Sequence, residues 1–139
     1  MSYLLDSNVV SELRKNSSRI DPNVARWAES VSATQHFISV ISLLEIELGV
    51  LRIERRDARA GEVLREWFDR AVLSAFARRT LPLSREVART AARLHVPDPR
   101  PERDAYIAAT ALQHGLTVVT RNVSDFEPTG VSVLNPWAG

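Results

Sequence analysis

The sequence predicts an α/β fold built on a central, mostly parallel sheet. Three observations carry this: short apolar runs alternate with long segments of helical period, the runs are apolar almost throughout, and each is separated from the next by a helix. Runs without polar alternation suit strands buried on both faces. Strands separated by helices require crossover connections, which place helices on both faces of the sheet as an α/β/α sandwich.

The elements follow in order. "SYLL", residues 2–5, is the first buried strand and ends at Asp6. A short helix is expected near 8–15. "DPNVARWAES" reads as a helix capped by Asp21 with Pro22 at its first position. "HFISVI", 36–41, is the second strand. From Ser42, apolar residues recur at helical spacing from Leu43 through Leu51 and again from Val63 through Phe76, which predicts two amphipathic helices in a hairpin that breaks near Arg56–Ala60. Ser84 caps a helix reaching about His95, and the proline-rich "VPDPRPE" cannot extend it. "DAYIAATALQHG" is apolar nearly all round and stops at Gly115, as a buried helix with a glycine cap does. "LTVVT" is the third strand, "RNVSDF" a polar loop and "VSVL" the fourth strand, before "NPWAG".

At 139 residues the chain fits one domain, 1–139, with no internal repeat or low-complexity segment. Apolar residues at 45% and charged residues at 25% exclude wholesale disorder. No run has the length of a membrane span, and the short apolar start interrupted by Asp6 lacks a signal-peptide layout, so no membrane contact and a cytoplasmic location are expected. The absence of cysteine excludes disulfides, thiolate metal sites and cysteine nucleophiles. A net charge of +1 makes no global case for a polyanionic partner. Seventeen of the eighteen basic residues are Arg, and guanidinium groups fork onto phosphates and carboxylates as ammonium groups do not.

In open α/β sheets, sites form at the carboxyl ends of the strands. Asp6 stands at such an end, where it is either a helix cap or a metal ligand. Glu45 follows the second strand, in the first turn of the next helix. With Ser42 it forms S-x-x-E, so a capping box is the alternative for it. Glu47, two residues on, is turned away. Asp104 opens the apolar helix, where the helix dipole favours an acid, yet so apolar a setting calls for a partner. Asp125 follows the third strand in a loop where Asx turns are common. Taken together, Asp6, Glu45 and Asp125 follow three different strands at one edge, and Asp104 joins them from a helix start. Four crowded carboxylates retain protons unless a cation neutralises them. Oxygen donors without His or Cys select Mg²⁺ or Mn²⁺, hard ions that keep several waters and work on phosphate. Thr120 and Asn122 line the same loop and are candidates for positioning water or phosphate, an ordinary strand-end turn being the alternative.

These residues resemble the PIN domain family, and within it the bacterial toxins of the VapC/FitB type. "LLDSNVVSE" is similar to the family's opening motif with Asp6, "SVISLLEIELGV" to the second with Glu45 and Gly49, and "DAYIAATALQHGLTVVTRNVSDF" to the third and fourth with Asp104 and Asp125. Thr120 and Asn122 match accessory polar positions, and "VSVLNPW" resembles the usual ending. Four motifs in order cover nearly the whole chain. The resemblance implies an α/β/α fold, Mg²⁺- or Mn²⁺-dependent endoribonuclease activity, a homodimer, and neutralisation by a cognate antitoxin, with DNA reached only through that complex. "PDPRPER", ahead of Asp104, is more charged than the family pattern.

Arg52, Arg55, Arg56 and Arg59, at i, i+3, i+4 and i+7, form a basic stripe that can contact RNA if the helix runs that far. Glu54, Asp57 and Glu62 lie among them, so a solvated ion-paired face competes with that role. Arg85, Arg89 and Arg93 form a second stripe. His36, His95 and His114 lack ligand spacing and read as structural, and Trp67, Phe68 and Phe76 read as packing residues. Two rival functions differ in class: a PIN-like module that binds RNA or an antitoxin–DNA complex without cutting, and a phosphotransfer protein with Asp6 as nucleophile. The intact acidic positions oppose the first, and the second lacks a placed lysine, Lys15 being the only one.

Overall fold

The computed structural model describes residues 1–139. Five strands, β1 (Tyr3–Leu5), β2 (His36–Ser39), β3 (Thr80–Leu81), β4 (Thr117–Val119) and β5 (Val133–Leu134), form one sheet in the order β3-β2-β1-β4-β5. Every pairing is parallel, with Leu4 opposite Phe37 and Val118, Ser39 opposite Leu81, and Val119 opposite Leu134. β1 is thus central, and its neighbours leave the sheet by crossovers in opposite directions. All strand carboxyl ends point to one edge, where crevices form.

Successive strand side chains face opposite sides, and β1 uses this to join two cores. Leu5 enters a cluster with Val9, Ile38, Phe68 and Val119. Leu4 enters the other, with Ile107, Ala108, Val118 and Phe126. The first core is roofed by α1 (Ser7–Leu13), α3 (Val40–Arg56) and α4 (Ala58–Trp67), the second chiefly by α6 (Glu102–His114). α2 (Pro22–Ser30) opens as expected, with Asp21 accepting hydrogen bonds from the backbone of Asn23 and Val24 at 2.9 and 3.2 Å. α5 (Arg85–Leu94) is capped by Ser84, which accepts from Val87 N at 3.1 Å. α6 ends at Gly115, whose φ of 66° is open to glycine at little cost.

The helical hairpin is sharper than its sequence pattern suggests. Asp57 alone separates α3 from α4, and its side chain caps α4 by accepting from Ala60 N at 3.1 Å. Gly61 lets the two helices touch, since a Cβ there would overlap the backbone of Glu54. Arg65 on α4 then clamps α3 by donating to both oxygens of Glu54, at 3.2 and 2.9 Å, and to Glu47. α4 continues through a wide π turn, Phe68–Val72, and a last turn, Leu73–Ala75. Phe68 is fully buried and Phe76 nearly so, consistent with packing roles.

Four expectations need correction. A fifth strand, β3, pairs with β2; at two residues it is too short to carry a periodic signal. "HFISVI" is a strand only to Ser39, because Ser39 accepts from Ile41 N at 3.0 Å and so starts α3 at Val40. That shift removes the expected capping box: Ser42 lies inside the helix, its hydroxyl toward Leu5 O at 3.5 Å, and Glu45 is in the second turn rather than the first. "RNVSDF" is more than a loop, since Val123–Phe126 forms a short helix, α7, that carries Asp125.

Candidate active site

Asp6 is placed by β1 and by the turn into α1. Its backbone N–H donates to Val119 O at 2.9 Å, extending the ladder one residue beyond the strand. Its carboxylate takes up the helix-cap use considered for it. Oδ1 accepts from Ser7 N at 2.9 Å and caps α1, while Oδ2 accepts from the Thr120 hydroxyl at 2.8 Å and from Asn8 Nδ2 at 3.4 Å. The residue is 5% exposed. Burial pushes its pKa up, the bonds from Thr120 and Ser7 pull it back, and the Asp125 charge pushes it up again.

Glu45 reaches the same edge from α3. One oxygen accepts from the Ser7 hydroxyl at 3.3 Å, and the other lies 3.8 Å from Arg103 Nη1. Burial raises its pKa first, then the charge of Asp6; Asp104 adds a smaller increase, while the Ser7 bond and Arg103 act against these. Asp104 sits in the first turn of α6, a helix start with no side-chain cap. It is half-buried and takes part in no hydrogen bond or ion pair. Its carboxyl is pushed up to about 6 by burial first and then by Asp6 and Asp125. Asp125 is exposed on α7, with its N–H on Asn122 O at 3.1 Å.

The structure therefore brings Asp6, Glu45, Asp104 and Asp125 to one edge of the sheet, where the charge of Asp125 acts on Asp6 and Asp104, and that of Asp6 on Glu45 and Asp104. The salt bridges include only one cation, Arg103, that touches any of the four. The carboxylates do not close into a ready cage of three or more direct ligands. The donor set still fits a hard divalent ion that is held by one or two carboxylates and reaches the rest through water, which is how Mg²⁺ is usually bound.

Of the other predicted residues, Thr120 is fully buried and its hydroxyl is spent on Asp6. It therefore positions Asp6 rather than facing solvent. Asn122 is exposed, and its backbone N–H donates to Thr120 Oγ1 at 3.0 Å. The basic stripe does not lie on one helix: α3 ends at Arg56, which puts Arg59 on α4. Nor is it an ion-paired face, because Glu54 is taken by Arg65 and Asp57 by its helix cap, and Arg52, Arg55, Arg56 and Arg59 form no salt bridge. Glu47 faces Arg65, away from the crevice. His36 stacks on Trp27 at 5.3 Å, and His95 Nδ1 accepts from Arg100 N at 3.1 Å.

Three contributors went unassigned in the sequence. Ser7 links Asp6 to Glu45 through its N–H and hydroxyl. Asn8 donates to Asp6 and Thr120 and accepts from Arg121 N at 3.3 Å. Arg103 faces Glu45. Each is next to, or two residues from, a candidate carboxylate, and that adjacency was the available signal. Beside Ser7 and Glu45 a cleft of about 280 Å³ continues between α1, α3 and α4 to Trp67.

The fold and site define an open parallel α/β protein with an acidic centre at the carboxyl ends of its middle strands. The chain belongs to the PIN domain family, whose profile matches residues 3–127. It is 37% identical to Toxin FitB of Neisseria gonorrhoeae over 142 aligned positions, covering 96% of this chain and 97% of that one. It is 32% identical to VapC ribonuclease Y4jK of Sinorhizobium fredii, covering 96% of both. The crystal structure of FitAcB from Neisseria gonorrhoeae superposes with a TM-score of 0.88 at 34% identity, over 97% of this chain and 98% of that one.

Proposed function

We propose that the protein is an endoribonuclease dependent on Mg²⁺ or Mn²⁺ and the toxin of a toxin–antitoxin pair. The observation that carries the chemistry is Asp104: a half-buried carboxylate without a donor, facing two more acids, whose pKa is raised to about 6. Such a group lacks a counter-charge. When bound, the divalent ion activates a water and stabilises charge on the attacking and leaving oxygens of a phosphodiester. Asp6 contributes a carboxylate whose orientation is set by Ser7 N–H and the Thr120 hydroxyl. Glu45, held by the Ser7 hydroxyl, would orient the attacking water. Asp104 and Asp125 complete the acidic set, and the exposed Asn122 is the candidate for positioning water or phosphate. The resemblance to the PIN family implies products with 5′-phosphate and 3′-hydroxyl ends.

The same proposal includes a cognate antitoxin, DNA contact only through that complex, and a homodimer. An apolar groove of about 150 Å³, lined by Val10, Leu13, Trp67, Val72 and Phe76, supports an apolar protein partner. Leu44 and Leu51, about half exposed at i and i+7 on α3, support a second copy. No helix is long and apolar enough to cross a membrane.

The test is RNA cutting by purified protein with Mg²⁺ or Mn²⁺, against a chelator control, for the unmodified chain and for Asp6→Asn, Asp104→Asn and Asp125→Asn. Loss of cutting in each variant is expected. Full activity of Asp6→Asn, or cutting that survives chelation, removes the assignment.

A further inference from the structure

On the β4 side of the acidic crevice, a separate polar cleft of about 370 Å³ opens between the end of α1, the start of α2 and the C-terminal turn. Lys15, Arg19 and Arg121 line it, with Trp137 and the acids Glu12 and Asp21. Both acids are already engaged. Glu12 Oε1 binds Lys15 Nζ at 2.9 Å, its Oε2 accepts from Asp21 N at 2.9 Å, and Asp21 caps α2. Lys15 is therefore largely neutralised. Arg19 and Arg121 form no salt bridge, and neither guanidinium donates a hydrogen bond to the protein. Ten N–H donors are left to face solvent or a ligand. The Arg121 guanidinium rests over the Trp137 ring at 5.2 Å, which holds it in place. Its backbone N–H bonds Asn8, and Asn8 in turn bonds Asp6. One side-chain link thus connects the cleft to the acidic centre.

We infer that this cleft binds the backbone of single-stranded RNA next to the bond being cut, with Arg19 and Arg121 on phosphate and Trp137 fixing Arg121. The inference rests on the ribonuclease reading above and adds a substrate-holding surface to it. A positively charged groove is the usual means of tracking a single-strand backbone. An acidic crevice repels phosphate, so a cationic flank is needed to bring the strand to it. The hairpin arginines serve this less well: Arg52, Arg55 and Arg56 lie about two to three helical turns beyond Glu45 on α3, and Arg59 is on α4.

The test uses the full chain carrying Asp104→Asn, so that RNA is not consumed. Binding of a fluorescein-labelled, mixed-sequence single-stranded RNA is followed by anisotropy across a salt series. For single strands each phosphate contact contributes about 0.7 to the slope of log K against log salt. Adding Arg19→Glu and Arg121→Glu should flatten that slope by about 1.4. Arg89→Glu with Arg93→Glu, the same charge change on α5, should leave it unaltered. Circular dichroism checks that the variants are folded, and Arg121→Gln should give half the change should the double reversal unfold. An unchanged slope overturns the inference, as does loss of antitoxin binding alone, which makes the cleft a protein contact. If the unmodified chain cuts RNA while the slope stays fixed, only the cleft is refuted. If RNA is bound with the flattened slope in the variants but never cut, the cleft stands and the nuclease reading falls.

Discussion

Asp104→Asn should make the metal-free protein more stable while disabling it. The carboxyl moves from an ordinary 3.8 to about 6 on folding, through burial and then the charges of Asp6 and Asp125. At about 1.4 kcal/mol per unit, that is about 3 kcal/mol against the ionised form. Asp104 is only half-buried, so solvent screening lowers the effect to on the order of 1 kcal/mol. Between about pH 4 and 6 the folded chain holds a proton that the unfolded chain has released, so stability falls as pH rises through this window. The cost is complete above pH 6 and absent well below 4. The amide keeps the shape and removes the charge, and it also relieves Glu45, which Asp104 pushes up. Thermal unfolding in chelator at pH 7.5 should give the variant a Tm higher by about 2–4 °C. The gap should narrow toward pH 4 and also when Mg²⁺ is added, because the ion stabilises only the chain that binds it. A variant no more stable at pH 7.5, or a gap independent of pH, would refute the electrostatic account of this site.

Three further outcomes follow from named contacts. Thr120→Val removes the donor that lowers the Asp6 pKa, so the acid limb of the RNA-cutting profile should move to higher pH, and an unmoved limb would deny Thr120 its positioning role. Mg²⁺ affinity, measured by calorimetry, should weaken as pH falls below about 6, where Asp104 takes up its proton; affinity constant down to pH 5 would place the ion elsewhere. Gly61→Ala forces a methyl group into the Glu54 backbone and should cost about 1–3 kcal/mol in urea unfolding, with a wild-type midpoint showing that α3 and α4 can separate freely.

The central strands and the apolar helix were legible because burial on both faces writes a strong signal: Leu4, Leu5, Val118 and Val119 are fully buried, as is Ile107 on α6. β3 was not, since two residues at the edge of a sheet carry no period. The start of α3 was misplaced because Ser39 and Ser42 are both good caps, and only the tertiary ladder ends the strand at Ser39. Asp6, Glu45 and Asp125 could be located by their strand ends and Asp104 by its helix start, the former a rule of topology rather than of local propensity. Ser7 and Arg103 adjoin Asp6 and Asp104 in the sequence, but their contacts with Glu45, 38 and 58 positions away, are tertiary and could not be read there. The unpaired state of the arginines was also hidden: sequence counts acids nearby, whereas the structure shows those acids committed to Arg65 and to a helix cap.

Moving the α3 cap from Ser42 to Ser39 changes more than a helix boundary. Had Ser42 been the cap, Glu45 would have bonded back to it, and the carboxylate would have been tied to its own helix. With Ser39 in that role, Glu45 is free to face Ser7 and the crevice. Asp6 is the opposite case. An ionised carboxylate offers about four lone-pair sites, and Ser7 N, Asn8 and Thr120 take three of them. Asp6 can thus spare one site for a cation, while Asp104, with no donor of its own, can offer all of its sites. For the ion proposed above the two acids would be unequal partners: Asp6 is nearly saturated with donors, and Asp104 is open with its pKa raised by burial and neighbouring charge. The repulsion that raises the Asp104 pKa is what a bound cation would relieve.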